Sequence, residues 1–96
     1  MTMSKIDVTI YEKTQSPCPY CDNMRRHFLS WQAKSTDTVT AEFKSAEENI
    51  DTLITLGASA APVYIIKRGK NESIVYGNNP DVLIDSLEGV DGVWDF

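Results

Sequence analysis

The sequence predicts an α/β domain of order βαβαββα, with a mixed four-stranded sheet flanked by three helices. Three observations lead to it. Ile6, Val8 and Ile10 alternate with Asp7, Thr9 and Tyr11 at the period of a strand. Met24, Phe28 and Trp31 then recur at helical spacing, four and three apart. Later, Val63-Tyr64-Ile65-Ile66 forms a short β-branched apolar run, followed by a polar turn and a second short run, as in a hairpin.

Element by element, the first strand is followed by a polar loop, Glu12 to Pro17, where Pro17 biases Ser16 towards extended geometry. The first helix is predicted from Pro19 to about Lys34, with Arg25, Arg26 and His27 off its apolar stripe. Val39, Ala41 and Phe43 alternate with polar residues and predict a second strand with those three side chains inward. Ser45-Ala46-Glu47-Glu48 fits a capping box opening a second helix, which is expected to bury Ile50, Leu53 and Ile54 and to stop at Gly57. Arg68 to Glu72 is a turn around Gly69, and Ser73 to Tyr76 is the fourth strand. Asn79 can cap and Pro80 can start a last helix that carries Leu83 and Leu87 inward and ends at Gly89. The 96 residues read as one domain, with a core of about 5–89 and a tail, 90–96, in which Trp94 and Phe96 are open to docking on the domain or on a partner.

Composition removes several classes of function. The formal charge of −5 is the wrong sign for a protein that neutralises phosphates, so no nucleic-acid partner is expected. The charge is uneven, +2 over residues 1–34 and −7 over 35–96, which is read as solvated surface. No apolar run approaches the roughly 20 residues of a membrane span, and no secretory leader is recognisable, so a cytoplasmic protein is expected. Cys18 and Cys21 are the only cysteines, too few for a multi-bridge scaffold.

Cys18-Pro19-Tyr20-Cys21 falls where the first strand hands over to the first helix. Free amides and the positive dipole end of a helix stabilise an adjacent thiolate, so Cys18, just ahead of the helix, is the expected nucleophile. Cys21 begins the 21, 24, 28, 31 stripe, faces the core and suits the resolving role. Two other readings exist. A zinc site normally needs four ligands, whereas His27 adds only one, and no metal is expected. A purely structural bridge would close a loop too short to give much entropy.

Tyr11, the Cys-Pro-Tyr-Cys tetrad at a helix start, Ala61-Pro62-Val63 opening a strand and Gly77 before a last helix together resemble a glutaredoxin of the thioredoxin superfamily, from about Lys5 to Gly89. The resemblance implies a thioredoxin-like fold and a cis Pro62 beside the dithiol. It also implies an Ala61 main chain that pairs with an incoming peptide or glutathione, and glutathione as co-substrate without metal or organic prosthetic group. It places Lys13, Tyr20, Ala61, Pro62 and Asp81 around that ligand. Two departures stand out: the loop after Lys13 is about two residues longer than is usual in the family, and Pro80 has no NH where an amide ordinarily grips the ligand's carboxylate. The stretch Gly77-Asn78-Asn79-Pro80-Asp81 is also similar to the glutaredoxin-like redoxins that reduce ribonucleotide reductase and are recharged by thioredoxin reductase. Compact forms of this kind occur among viral glutaredoxins, which makes ribonucleotide reductase the first substrate to test. A monomer is expected. The alternative from another class is a non-catalytic adaptor that uses the Ala61-Pro62 edge to hold a partner.

Overall fold

The alternation that opens the chain becomes strand β1, Lys5–Glu12, whose Ile6, Val8 and Ile10 are almost wholly buried. The computed structural model describes residues 5–89, so the tail with Trp94 and Phe96 lies outside the described residues. Helix α1, Pro19–Lys34, follows, then β2, Thr38–Ser45. A 3-10 turn, Glu47–Asn49, leads into a short α2, Ile50–Thr55. The hairpin of β3, Val63–Arg68, and β4, Asn71–Tyr76, precedes α3, Pro80–Glu88.

The sheet order is β2-β1-β3-β4. β1 runs parallel to β2, from Lys5 opposite Thr38 to Glu12 opposite Ser45. It runs antiparallel to β3, from Ile6 opposite Arg68 to Tyr11 opposite Val63, and β3 pairs antiparallel with β4. The mixed four-stranded sheet and its three helices are therefore those the patterning predicts. Among the described residues no helix is long and apolar enough to cross a membrane.

Two apolar clusters fix this arrangement. Ile6, Val8 and Ile10 meet Met24 and Phe28 of α1, Tyr64 and Ile66 of β3, and Leu83 and Leu87 of α3. The Phe28 ring lies 5.9 Å from Tyr64 and 6.5 Å from Trp31, spacings at which aromatic pairs attract beyond their area burial. The second cluster joins Tyr11, Cys21, Ala46, Leu53, Ala61 and Val63, with Cys18 packed against it.

Four sequence-based expectations are corrected. Glu12 is no loop residue: it ends β1 and is 7% exposed. In β2, only Val39 packs on the core, while Ala41 is exposed and Phe43 is 46% exposed, because an edge strand has one neighbour instead of two. In α2, only Leu53 is buried, and Ile50 and Ile54 are 56% and 64% exposed. At 100° per residue, positions 50 and 54 lie about 40° apart, with 53 about 60° to their other side, and this short peripheral helix buries only the latter. Asn79 stands at the N-cap of α3 without capping it, since its side-chain amide donates instead to the Tyr76 carbonyl at 2.6 Å. Pro80 does open the helix.

The end of α2 follows the pattern expected of glycine. Gly57 takes φ +83°, and the Gly57 and Ala58 amides return to the carbonyls of Ile54 and Leu53, the paired bonds of a Schellman motif. This closes α2 and turns the chain back towards Ala61 and Pro62.

Candidate active site

Cys18 is the N-cap of α1, and Pro19 takes the first helical position, where a missing NH costs nothing. The Cys21 amide donates to the Cys18 sulfur at 3.2 Å, the bond a serine or aspartate oxygen would ordinarily accept at a cap. Cys18 and Cys21 are joined as a disulfide, with their Cα atoms 5.2 Å apart. The sulfur atoms stand for the two thiols of the reduced protein. In that state the same amide and the helix dipole would meet whatever negative charge develops on Cys18. Cys21 is 1% exposed in the second apolar cluster, whereas Cys18 is only partly buried.

The Ala61-Pro62 peptide bond is cis, as the family resemblance implies. Ala61 is 8% exposed and lies in the cluster that holds Cys21. Its main-chain NH and carbonyl make no main-chain hydrogen bond among the described residues, because β3 begins to pair only at Val63. Tyr20, between the cysteines, is 61% exposed. The Asn23 side-chain amide donates to the Asn78 side-chain oxygen at 2.9 Å, which ties α1 to the Gly77–Asp81 loop and brings Asp81, exposed in the first turn of α3, to this end of the molecule.

Two polar constructions here are invisible in the sequence. The first is a clamp on the long loop before Cys18. The Glu47 carboxylate accepts from the Thr14 and Gln15 amides at 2.9 and 3.2 Å, and from the Thr14 and Ser45 hydroxyls, both at 3.3 Å. The predicted capping box is half formed: the Glu48 amide donates to the Ser45 hydroxyl at 3.3 Å, but among the described residues the Glu48 carboxylate makes no return bond to the Ser45 amide. These donors, the Thr14 amide foremost, hold the Glu47 carboxyl down to about 2.

A group with a depressed folded-state pKa stabilises the fold above its unfolded value and loses that contribution as pH falls through the folded one. Glu47→Gln is therefore expected to be less stable than wild type near neutral pH. The deficit should shrink from about pH 4.5 downward and close towards pH 2, as read by urea unfolding at a series of pH values. A deficit that is constant over this range would contradict an ionised clamp.

The second construction lies under the first two turns of α1. Arg25 grips Glu12 with two parallel bonds, Nε to Oε2 at 3.1 Å and Nη2 to Oε1 at 2.8 Å, and reaches Asp22 at 3.4 Å. The Glu12 hydrogen bond raises the Arg25 guanidinium above its usual value, against a smaller opposing effect of burial. Beside the pair, the buried Tyr64 hydroxyl has no hydrogen-bond partner among the described residues. Burial pushes its pKa up, with Glu12 adding to the effect and Arg25 offsetting part of it, so it stays protonated. His27 is exposed on α1, and the described residues contain no group of three His, Cys, Asp or Glu side chains placed to hold a metal.

No family model matches the chain, and no curated protein matches it. Solved structures do. Mitochondrial thioredoxin 3 of Saccharomyces cerevisiae, in its oxidized form, superposes with a TM-score of 0.68 at 19% identity, covering 88% of this chain and 77% of its own. Spinach chloroplast thioredoxin f gives 0.68 at 18% identity, over 93% and 79%. Reduced thioredoxin of Schistosoma mansoni gives 0.65 at 17%, over 88% and 78%. At such identities the likeness is one of fold. The chain has the thioredoxin-like α/β fold, with a Cys-X-X-Cys disulfide at the start of its first helix.

Proposed function

We propose that the protein is a small thiol-disulfide oxidoreductase of glutaredoxin type, working through Cys18 and Cys21. The observation that carries this reading is the asymmetry of the pair: a partly exposed sulfur at a helix N-cap, accepting the Cys21 amide, beside a fully shielded partner. In the forward reaction the Cys18 thiolate attacks one sulfur of a substrate disulfide. That S–S bond breaks, and the departing thiolate takes up a proton. The Cys21 thiol then loses its proton and attacks the Cys18 sulfur of the mixed disulfide, releasing the second substrate thiol and leaving the Cys18–Cys21 disulfide. Two electrons and two protons from an external reductant reset the dithiol.

Glutathione and thioredoxin reductase are the two candidate reductants, and ribonucleotide reductase is a candidate protein substrate. For glutathione, Lys13 would meet one carboxylate, the Ala61 main chain would pair with the cysteinyl residue beside Pro62 and Tyr20, and Asp81 would meet the amine. Turnover of a disulfide substrate with either glutathione plus its reductase or thioredoxin reductase as the sole electron source tests the proposal. Failure with both, together with partner binding retained by a Cys18, Cys21 double serine variant, would favour the adaptor.

Pro80 weakens the glutathione site specifically. A lost hydrogen bond to a charged group is worth about 1.5–3 kcal/mol, or roughly one to two orders of magnitude in affinity. Pro80 sits at the first position of α3, where serine is tolerated and supplies an NH. Pro80→Ser is thus expected to lower the apparent KM for glutathione about tenfold. An unchanged KM, with brisk reduction of the wild type by thioredoxin reductase, would point to the redoxin-type donor.

A further inference from the structure

The outer edge of the sheet at β2 lacks most of the features that ordinarily prevent strand addition, namely shortness, proline, a bulge or a covering segment. β2 runs for eight residues without proline and keeps an unbroken register with β1 from Thr38 to Ser45. β1 is its one strand neighbour among the described residues, so about half of its main-chain NH and carbonyl groups point outward. Thr38 and all of residues 40–43 are exposed. The opposite edge, β4, is shorter, at six residues.

The register with β1 sets which side chains of β2 share a face. Val39, Ala41 and Phe43 lie opposite Ile6, Val8 and Ile10, on the face that packs against α1. Ile6, Val8 and Ile10 are almost wholly buried, whereas Ala41 is exposed and Phe43 is 46% exposed. The apolar layer of the sheet therefore continues to its edge and stops there uncovered. Thr38, Thr40, Glu42 and Lys44 occupy the other face.

We propose that a second copy of this chain completes the edge, β2 against antiparallel β2 about a two-fold axis at Ala41, joining two four-stranded sheets into one. The inference is independent of the dithiol chemistry and sets a dimer in place of the monomer expected from the sequence.

Self-pairing has few solutions. Outward main-chain groups and side-chain faces both alternate, so only odd-numbered residues can oppose odd and even oppose even. Two such registers, centred on Ala41 and on Glu42, overlap nearly the whole strand. The register centred on Glu42 sets two carboxylates directly opposite each other, which is destabilising. The register centred on Ala41 sets Phe43 of each copy against Val39 of the other, with Ala41 against Ala41 between them, a continuous apolar row. On the polar face it sets Thr40 against Glu42 and Thr38 against Lys44, so no like charges are directly opposed and the four charges sum to zero. The contact is self-complementary and closes at two copies. Because β1 runs parallel to β2, the two dithiols lie at opposite ends of the joined sheet, and neither obstructs the other.

Disulfide crosslinking reads the register. In a full-length Cys18→Ser, Cys21→Ser background, Ala41→Cys places its thiol on the axis, against the same thiol of the second copy. Directly opposed Cα atoms of an antiparallel pair are about 4.5–5.5 Å apart, within the span of a disulfide. Diamide, which takes up the two electrons and two protons, is therefore expected to convert this variant to a covalent dimer. Phe43→Cys and Lys44→Cys in the same background lie about 13 and about 20 Å from their counterparts and should crosslink at least about tenfold more slowly.

Sedimentation equilibrium of the unmodified protein from about 10 μM to about 1 mM should show a reversible monomer–dimer transition. Phe43→Glu, which sets a carboxylate against Val39 of the second copy, should raise the dissociation constant about tenfold or more while leaving the far-ultraviolet circular dichroism unchanged. A monomer at every concentration would overturn the proposal, as would a dimer that Phe43→Glu does not weaken. Crosslinking of Phe43→Cys or Lys44→Cys as fast as Ala41→Cys would overturn it too. So would assemblies that keep growing beyond two copies, the result of pairing β2 head-to-tail with β4.

Discussion

Replacing Cys18 with serine is expected to reduce disulfide exchange to the uncatalysed rate, whereas Cys21→Ser should still attack once and then accumulate a mixed disulfide on Cys18. The asymmetry follows from position. Cys18 holds the N-cap, where a developing thiolate meets the Cys21 amide and the dipole of a 16-residue helix. Cys21 is 1% exposed, so an outside disulfide cannot reach it, yet it lies within bonding distance of Cys18. Mass mapping of the reduced protein after brief iodoacetamide treatment at neutral pH should find the label on Cys18. Preferential labelling of Cys21 would reverse the roles and with them the proposed mechanism.

Arg25→Ala is expected to have a large effect on stability without touching the redox pair. It leaves the Glu12 carboxylate, with a side chain 9% exposed, at the end of β1 without its two-bond partner. Removing one member of a buried pair costs about 3–5 kcal/mol, and the 41% exposure of the Arg25 side chain lowers the expected loss to about 2 kcal/mol. A Glu12→Leu, Arg25→Leu double variant should recover much of this, since it leaves no unpaired charge behind. Urea unfolding of the two variants decides the point: a double variant no more stable than Arg25→Ala would mean that the pair contributes more than the desolvation of Glu12. Arg25 lies four residues after Cys21, so this pair also fastens the first turns of α1 to the end of β1, the two elements that present the dithiol.

Where the sequence is legible, the reason is local. The period-2 pattern of residues 6–11 and the stripe through Cys21, Met24 and Phe28 each report one face of one element, and the faces they name are buried. The same reasoning fails for Ile50, Ile54 and Phe43, which carry the right period but sit on a peripheral helix and an edge strand. Periodicity says which side chains share a face; it is silent on whether anything covers that face.

By itself the sequence determined the order of elements, the dithiol at a helix start and, through resemblance, the cis bond before Pro62. Tertiary structure alone decided the surroundings of that dithiol. Glu47 meets Thr14 across 33 residues, Glu12 meets Arg25 across 13, and Asn23 meets Asn78 across 55. The Glu47 contact depends on the sheet order β2-β1-β3-β4, which places the ends of β1 and β2 side by side, and the Arg25 and Asn23 contacts depend on how α1 packs over the end of β1 and near the start of α3. Hydrogen bonds between surface-type residues leave no periodic trace in a chain, because a glutamate that clamps a loop and one that faces water have the same local propensities. Only the packing of the apolar faces brings the partners within reach.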